Sequence, residues 1–398
     1  MRKKYKNTVY ACFIGYIVQA IVNNFVPLLF LTFQSQYGIS LSKITMLVTF
    51  NFGLQLLVDL VSISFVDKIG YRISAILAHV FSAAGFILLT ILPEVMADPF
   101  YGILIAVMVY AVGGGLLEVL ISPIVEACPT DNKEKAMSLL HSFYCWGHVG
   151  VVLLSTLFFA IVGIENWKML AILWAIVPVL NAVFITQVPI PPLIAEDETG
   201  LSMKELFREK IFWIFMLLMV CSGASEQAVS QWASTFAEKG LGISKTIGDL
   251  VGPMAFAIFM GTARALYGKY GEKIKLETFM IMSTILCMVS YLMIALVPLP
   301  IVSVIGCSIC GFSVGIMWPG TFSMASAKIR NGGTAMFALM ALAGDLGCSS
   351  GPTLVGTVSD LFSENLRVGI LLALVFPGLL LMGIGLIRRM TRGDKDFS

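Results

Sequence analysis

PFYGILIAVMVYAVGGGLLEVLISPIVEA, residues 99–127, is apolar almost throughout and holds two acids, Glu118 deep within it and Glu126 at its very end. The stretch exceeds the roughly 20 residues that cross the ~30 Å hydrocarbon core of a bilayer. It therefore reads as a transmembrane helix, and a carboxylate at half depth is a group that lipid alone would reject. Runs of the same kind lie on either side, at 9–33, 44–66, 73–93, 136–163, 167–189, 211–237, 246–268, 276–298, 300–327, 333–360 and 366–388. The expectation is an all-α integral membrane protein with 12 transmembrane helices. The first run is too long for a signal peptide and has no small-residue cleavage site, so it is expected to stay as the first span.

Bulk properties agree. Of 398 residues 58% are hydrophobic and 13% charged, with a mean hydropathy of +0.90, whereas soluble domains carry about 25% charged residues. The net charge of +2 gives no support to nucleic-acid binding. Eight cysteines lie singly in or near apolar runs and read as small core residues. Cys307 and Cys310 form a CxxC without a second pair, so no metal site is expected. No Walker-type phosphate loop and no nucleophile–base pair is found, which argues against ATP-driven transport and against an enzyme, and no cofactor is expected.

Positive charge orients the chain. Twenty Lys and Arg residues fall at the termini and the even-numbered connections and five on the opposite side, which places both termini in the cytoplasm. The longest polar interruption, 190–210, separates a bundle at 1–189 from one at 211–398. It is expected to be a cytoplasmic linker with a short amphipathic helix. The halves echo one another in order. Asp67-Lys68-Ile69-Gly70-Tyr71-Arg72 matches Gly268-Lys269-Tyr270-Gly271-Glu272-Lys273. Thr32-Phe33 before Gly38–Ser40 matches Thr235-Phe236 before Gly242–Ser244. Gly115 to Pro123 matches the spacing of Gly311 to Pro319. An internal repeat of six helices follows.

Twelve helices, cytoplasmic termini, a cytoplasmic central loop and the D-K-x-G-x-R turn at Asp67 to Arg72 together resemble the major facilitator superfamily. That resemblance implies two pseudo-symmetric six-helix bundles with a cavity lined by the first, fourth, seventh and tenth helices. The turn departs from the family pattern at Ile63, where a glycine is expected. A narrower similarity is to the fucose/proton symporter family of sugar transporters. It rests on Gly113 to Glu118 with Ser122-Pro123, Leu139 to Tyr144, Met317-Trp318-Pro319 with Phe322-Ser323, and Gly351-Pro352 with Val358-Ser359-Asp360. It implies that Glu118 takes part in proton coupling. A helix 1 aspartate of that family is Asn23 here, which cannot titrate.

Glu118 can bind and release a proton as water reaches it from alternate sides; the alternative is a permanent partner across the bundle. Glu226 is the second coupling candidate. Gln227 beside it and Trp232 further along suit hydrogen bonding and stacking against a polyol ring, or helix-to-helix packing. Gln19, Asn23 and Asn24 on the first helix and Gln55 on the second both donate and accept, which suits hydroxyl-rich ligands and equally suits helix contacts. His141, Tyr144 and His148 share one helical face, and of these Tyr144 and His148 are substrate candidates. Trp318, before Pro319, is a stacking platform or a space filler. Asp59 and Asp345 are gating or structural polar groups. Asp67, Lys68, Arg72, Glu126 and Arg264 read as residues of a cytoplasmic gate. His79 is assigned no function.

The leading expectation is a plasma-membrane secondary transporter that moves a small polar solute, a sugar or polyol, inward with a proton, as a monomer. Sodium is the alternative ion. Proton-coupled efflux of amphiphilic compounds is the second reading, given 21 Met and 27 Phe, and a non-transporting sensor on the same scaffold is the third.

Overall fold

The computed structural model describes residues 5–129, 133–190, 201, 203–270, 275–329 and 332–393. Side chains at 63–65, 67, 126, 133–138, 203, 268–270, 333–335 and 391–393 lie outside the described set, so Asp67 and Glu126 carry no side-chain account. Every regular element among the described residues is helical. The long elements, in order, are α1 (Lys6–Tyr37), α2 (Leu41–Ile69), α3 (Tyr71–Val95), α4 (Pro99–Ala127), α5 (Lys133–Val162), α6 (Trp167–Gln187), α7 (Lys210–Gly240), α8 (Lys245–Tyr270), α9 (Leu276–Leu296), α10 (Pro300–Lys328), α11 (Gly333–Leu361) and α12 (Leu366–Met390).

Eleven helices among the described residues are long and apolar enough to cross a bilayer. The remaining long helix, α11, has 29 residues. Its glycines, serines and Asp345 dilute its apolar character while supplying the small side chains that close helix packing needs. A short helix at Met203–Leu206 lies in the expected linker.

Several helices break where the backbone ladder cannot run on. In α1 a 3₁₀ turn, Val26–Leu29, surrounds Pro27, which lacks an amide proton to donate. α7 ends in a π-helical turn at Phe236–Gly240, and α8 contains another at Leu250–Met254 around Pro253. α10 is interrupted between Val314 and Met317. Such interruptions free backbone groups, which is tolerated in lipid only where protein or water satisfies them.

Helix ends are fastened by side chains. Asp98 caps α4, accepting from the Phe100 amide at 2.9 Å and pairing with Lys43 at 2.9 Å. The Lys43 ammonium and the Phe100 N–H hold its carboxyl below the usual carboxylate range. Arg72 donates to the carbonyls of Ile185, Thr186 and Val188 at 2.7, 2.9 and 2.8 Å, so the residue expected at a gate caps the end of α6. Lys68 is exposed.

The chain forms two compact units, Met1–Ile194 with Ser234–Ile258, and Ala195–Ala233 with Phe259–Ser398. In the first unit, backbone-close packing is set by consecutive glycines of α4. A Cβ at Gly113 would stand 2.5 Å from the Ala78 carbonyl oxygen of α3, one at Gly114 would meet Val22 of α1 at 2.9 Å, and one at Gly115 would meet the Gln55 Cα of α2 at 3.0 Å. Three neighbours thus approach one turn of α4. In the second unit, Gly347 faces the Val220 carbonyl, and a Cβ at Gly351 would lie 2.5 Å from the Ala224 carbonyl oxygen, which brings α11 onto α7. His79 is fully buried and bridges helices: Nδ1 meets the Ala75 carbonyl at 2.7 Å, Nε2 meets Asn181 at 2.7 Å, and Asn181 donates to Ala11 O at 3.0 Å.

Gly113→Ala is expected to lower the thermal midpoint of the purified protein, by a stability loss of about 1–3 kcal/mol from overpacking against backbone that cannot yield. Gly150→Ala in α5, where a Cβ meets nothing within 4 Å, is expected to leave it unchanged or slightly raised. Equal midpoints for the two variants would contradict the close-packing account.

Candidate functional site

In the first unit a polar surface is assembled from α1, α2, α4 and α5. Glu118 is half-buried, and its Oε2 accepts from Gln19 Nε2 at 2.8 Å. One helical turn further along α4, Ser122 shares a 2.8 Å hydrogen bond with the Tyr16 hydroxyl. Asn23 Oδ1 accepts from Gln55 Nε2 at 2.9 Å and from Asn51 Nδ2 at 3.4 Å. Asn24 donates to the Ala20 carbonyl at 2.9 Å and to the Tyr144 hydroxyl at 3.4 Å. Gln19 and Asn23, four residues apart, lie on successive turns of α1 with Asn24 next to Asn23, while α2 presents Asn51, Gln55 and Asp59 at four-residue intervals.

An oxygen of the half-buried Asp59 lies within 4.8 Å of one from Glu118. Two carboxylates this close repel one another when both are ionised. The spans 9–33, 44–66 and 99–127 contain no lysine or arginine. Two buried acceptors, Gln19 Oε1 and Asn51 Oδ1, have no hydrogen-bond partner among the described residues. A buried carbonyl oxygen without a donor costs about 1–3 kcal/mol, so both favour an incoming hydroxyl or water. His148 is 2% exposed, and the tight fit of Gly147 against Ile17 and Ala20 holds its turn of α5 on α1.

In the second unit Glu226 is buried in α7, with Arg264 of α8 at 3.7 Å and Gln227 Nε2 at 3.2 Å. Gln231 donates to Gln227 Oε1 at 3.0 Å, which extends the chain of amides by a turn. Arg264 also donates from Nε to the Gly315 carbonyl at 3.1 Å, at the break in α10. The arginine read from sequence as a gate residue therefore joins an acid of α7 to an interrupted helix. Trp232 is fully buried and donates its indole N–H to the Pro352 carbonyl at 3.0 Å, a place within the α7 to α11 contact rather than on an open surface. Trp318 is half-buried, occupies the space a Cβ at Gly344 would need, and meets Phe322 edge-on with ring centroids 6.3 Å apart. Asp345 is 5% exposed.

Sequence reasoning missed three features: the Arg264 to Glu226 pair, the Asn181 to His79 bridge, and a buried carboxylate at Asp249. Each joins helices that the chain separates, so no local spacing signals it. For Asp249 a hint existed, an acid four residues after Lys245 at the start of a helix.

No curated protein matches the chain by sequence. A bacterial homologue of the human lysosomal transporter Spinster, in an inward-facing and occupied conformation, has a TM-score of 0.75 and 13% identity over 98% of both chains. The E. coli fucose:proton symporter has a TM-score of 0.66 and 15% identity over 96% of this chain and 99% of its own. A D-xylose-proton symporter has a TM-score of 0.76 and 14% identity over 96% of this chain and 97% of its own. At such identities the likeness concerns the fold. The model of the Major Facilitator Superfamily matches residues 11–352, most of the chain, and with its many apolar helices the chain belongs to that superfamily: it is a multi-pass membrane transporter, not an enzyme.

Proposed function

We propose that the chain carries a small polar solute, a sugar or related polyol, across the plasma membrane together with a proton, by alternating access between six-helix halves at 1–189 and 211–398. The observation that carries this reading is the meeting of Gln19 with Glu118 at 2.8 Å in the middle of two spans. There a group that can hold a proton touches a group that can hold a hydroxyl. The oxygen of that same amide, Gln19 Oε1, is unpaired among the described residues.

Chemistry on either side supports it. Amides offer donors and acceptors in equal measure, which matches a polyol and matches greasy cations poorly. Gln19, Asn23, Asn24 and Gln55, with the Tyr144 hydroxyl, would bind the solute. Proximity of Asp59 gives Glu118 a negative neighbour, so loss or gain of one proton changes the local charge balance. The sugar symporters of like fold favour the same solute class. Glu226, Gln227 and Trp318 would be the contribution of the second half, with Arg264 balancing the charge of Glu226. Sodium held between the carboxylates is the competing choice of ion.

Thermal-shift screening of purified protein with a sugar panel, followed by uptake into vesicles under imposed proton or sodium gradients, tests solute and ion separately. Glu118→Gln is expected to abolish proton-driven accumulation while leaving binding or exchange of labelled solute intact. Full accumulation by that variant would remove Glu118 from the coupling. Gln19→Leu is expected to weaken solute binding roughly tenfold or more, the cost of a lost hydrogen bond of about 1.4 kcal/mol, as read by titration. An unchanged Kd for every sugar that stabilises the parent protein would place the solute elsewhere.

A further inference from the structure

Where α7 passes into α8, at the end opposite the chain termini, an ion cluster lies outside the site described above. Lys245 Nζ stands 3.1 Å from Asp249 and 3.3 Å from Glu238. It also donates to the Leu28 carbonyl at 2.6 Å, across 217 positions of sequence. Its ammonium lies 5.7 Å from the centre of the Phe159 ring of α5. Asp249 is wholly buried and takes two more hydrogen bonds, from the Ser234 hydroxyl at 2.5 Å and from Thr156 of α5 at 3.4 Å. The cluster thus joins the segment 234–258 to α1 and to α5, and that segment belongs to the same compact unit as α1 to α6.

We propose that Lys245 is the pin of an outer latch, which closes the α7–α8 connection onto α1 and α5 and must release the Leu28 carbonyl before the protein opens away from the cytoplasm. Three features distinguish a latch from a fixed staple. The acceptor lies in the 3₁₀ break of α1, where the helix is already interrupted. The pin is flanked by the π-helical turns Phe236–Gly240 and Leu250–Met254, and turns of that kind recur at functional sites. Burial is graded as well: the Asp249 side chain is 0% exposed, whereas those of Lys245 and Glu238 are 18% and 21% exposed, so water can take the ammonium while the carboxylate stays held by its hydroxyl donors. A buried charge that loses its partner is costly. Opening is therefore expected to proceed with the Lys245–Asp249 pair intact and with the Leu28 contact as the bond that breaks. Asn24 is one turn from Leu28 on the same helix, so a movement at the break is felt at the polar surface of α1.

The latch does not depend on which solute or ion is carried, and its test needs neither. Spin labels are attached through Ser35→Cys and Ser244→Cys, at two exposed positions of which Ser244 makes no side-chain cap, in the whole chain with its native cysteines replaced. Distances between them are measured in lipid nanodiscs by pulsed electron resonance. Lys245→Met is expected to enlarge the long-distance population severalfold, and Lys245→Arg to return it toward that of the parent. Asp249→Asn, which removes the charge at nearly constant shape, is read in the same way should Lys245→Met fail to fold. Folded variants with the parent's distance distribution would overturn the latch. So would variants that lose thermal stability while their folded fraction keeps that distribution, since the cluster would then be a static staple.

Discussion

Close approach of backbones through Gly113, Gly114 and Gly115 is the constraint on which the polar surface of the first unit depends. A Cβ at any of these positions would stand too close to α1, α2 or α3 unless the neighbour gave way. Glu118 follows this turn directly, and it reaches Gln19 because the helices are that near. Association of helices in lipid gains little from the hydrophobic effect, since the solvent is as apolar as the side chains. Packing contacts and interhelical hydrogen bonds must supply it, and the glycines make both available at one level of the membrane.

The second unit obeys the same rule with different residues. Gly347 and Gly351 admit the carbonyls of Val220 and Ala224, and Trp232 then secures the contact through the Pro352 carbonyl. This proline sits inside α11, where its own missing amide proton disturbs the ladder. Donors brought in by side chains reach two of the interruptions: Arg264 the α10 break and Lys245 the α1 break. Each interruption exposes carbonyls that lipid cannot satisfy. Helices that break and charges that mend them are thus one design, and they lend the fold places where it can bend without unfolding.

Polar groups of the first unit divide by what they satisfy. Asn181 and His79 use their hydrogen bonds on one another and on backbone, deep between helices. Gln19, Asn23, Asn51 and Gln55 use theirs on side chains, and Gln19 Oε1 and Asn51 Oδ1 are left without a partner among the described residues, as is Asn181 Oδ1. A structural network tends to close on itself, because every unmet group is a cost.

Sequence by itself determined which stretches are helices and on which side of the membrane their ends are expected, because the hydrocarbon core demands long apolar runs and the charge bias orients them. The run at 99–127 is α4 to the residue, and 333–360 differs from α11 by one position. Glu118, Gln19, Asn23 and Gln55 stood out for the same reason, as polar groups where lipid should tolerate none. Partners were another matter. That Arg264 faces Glu226, that Arg72 caps α6, that Trp232 is sealed within a helix contact and that Lys245 crosses to Leu28 were decided by tertiary structure alone. Helical periodicity fixes the face a residue occupies on its own helix, while the rotation and depth of a neighbouring helix come from packing summed over many small contacts, which no single stretch of sequence encodes.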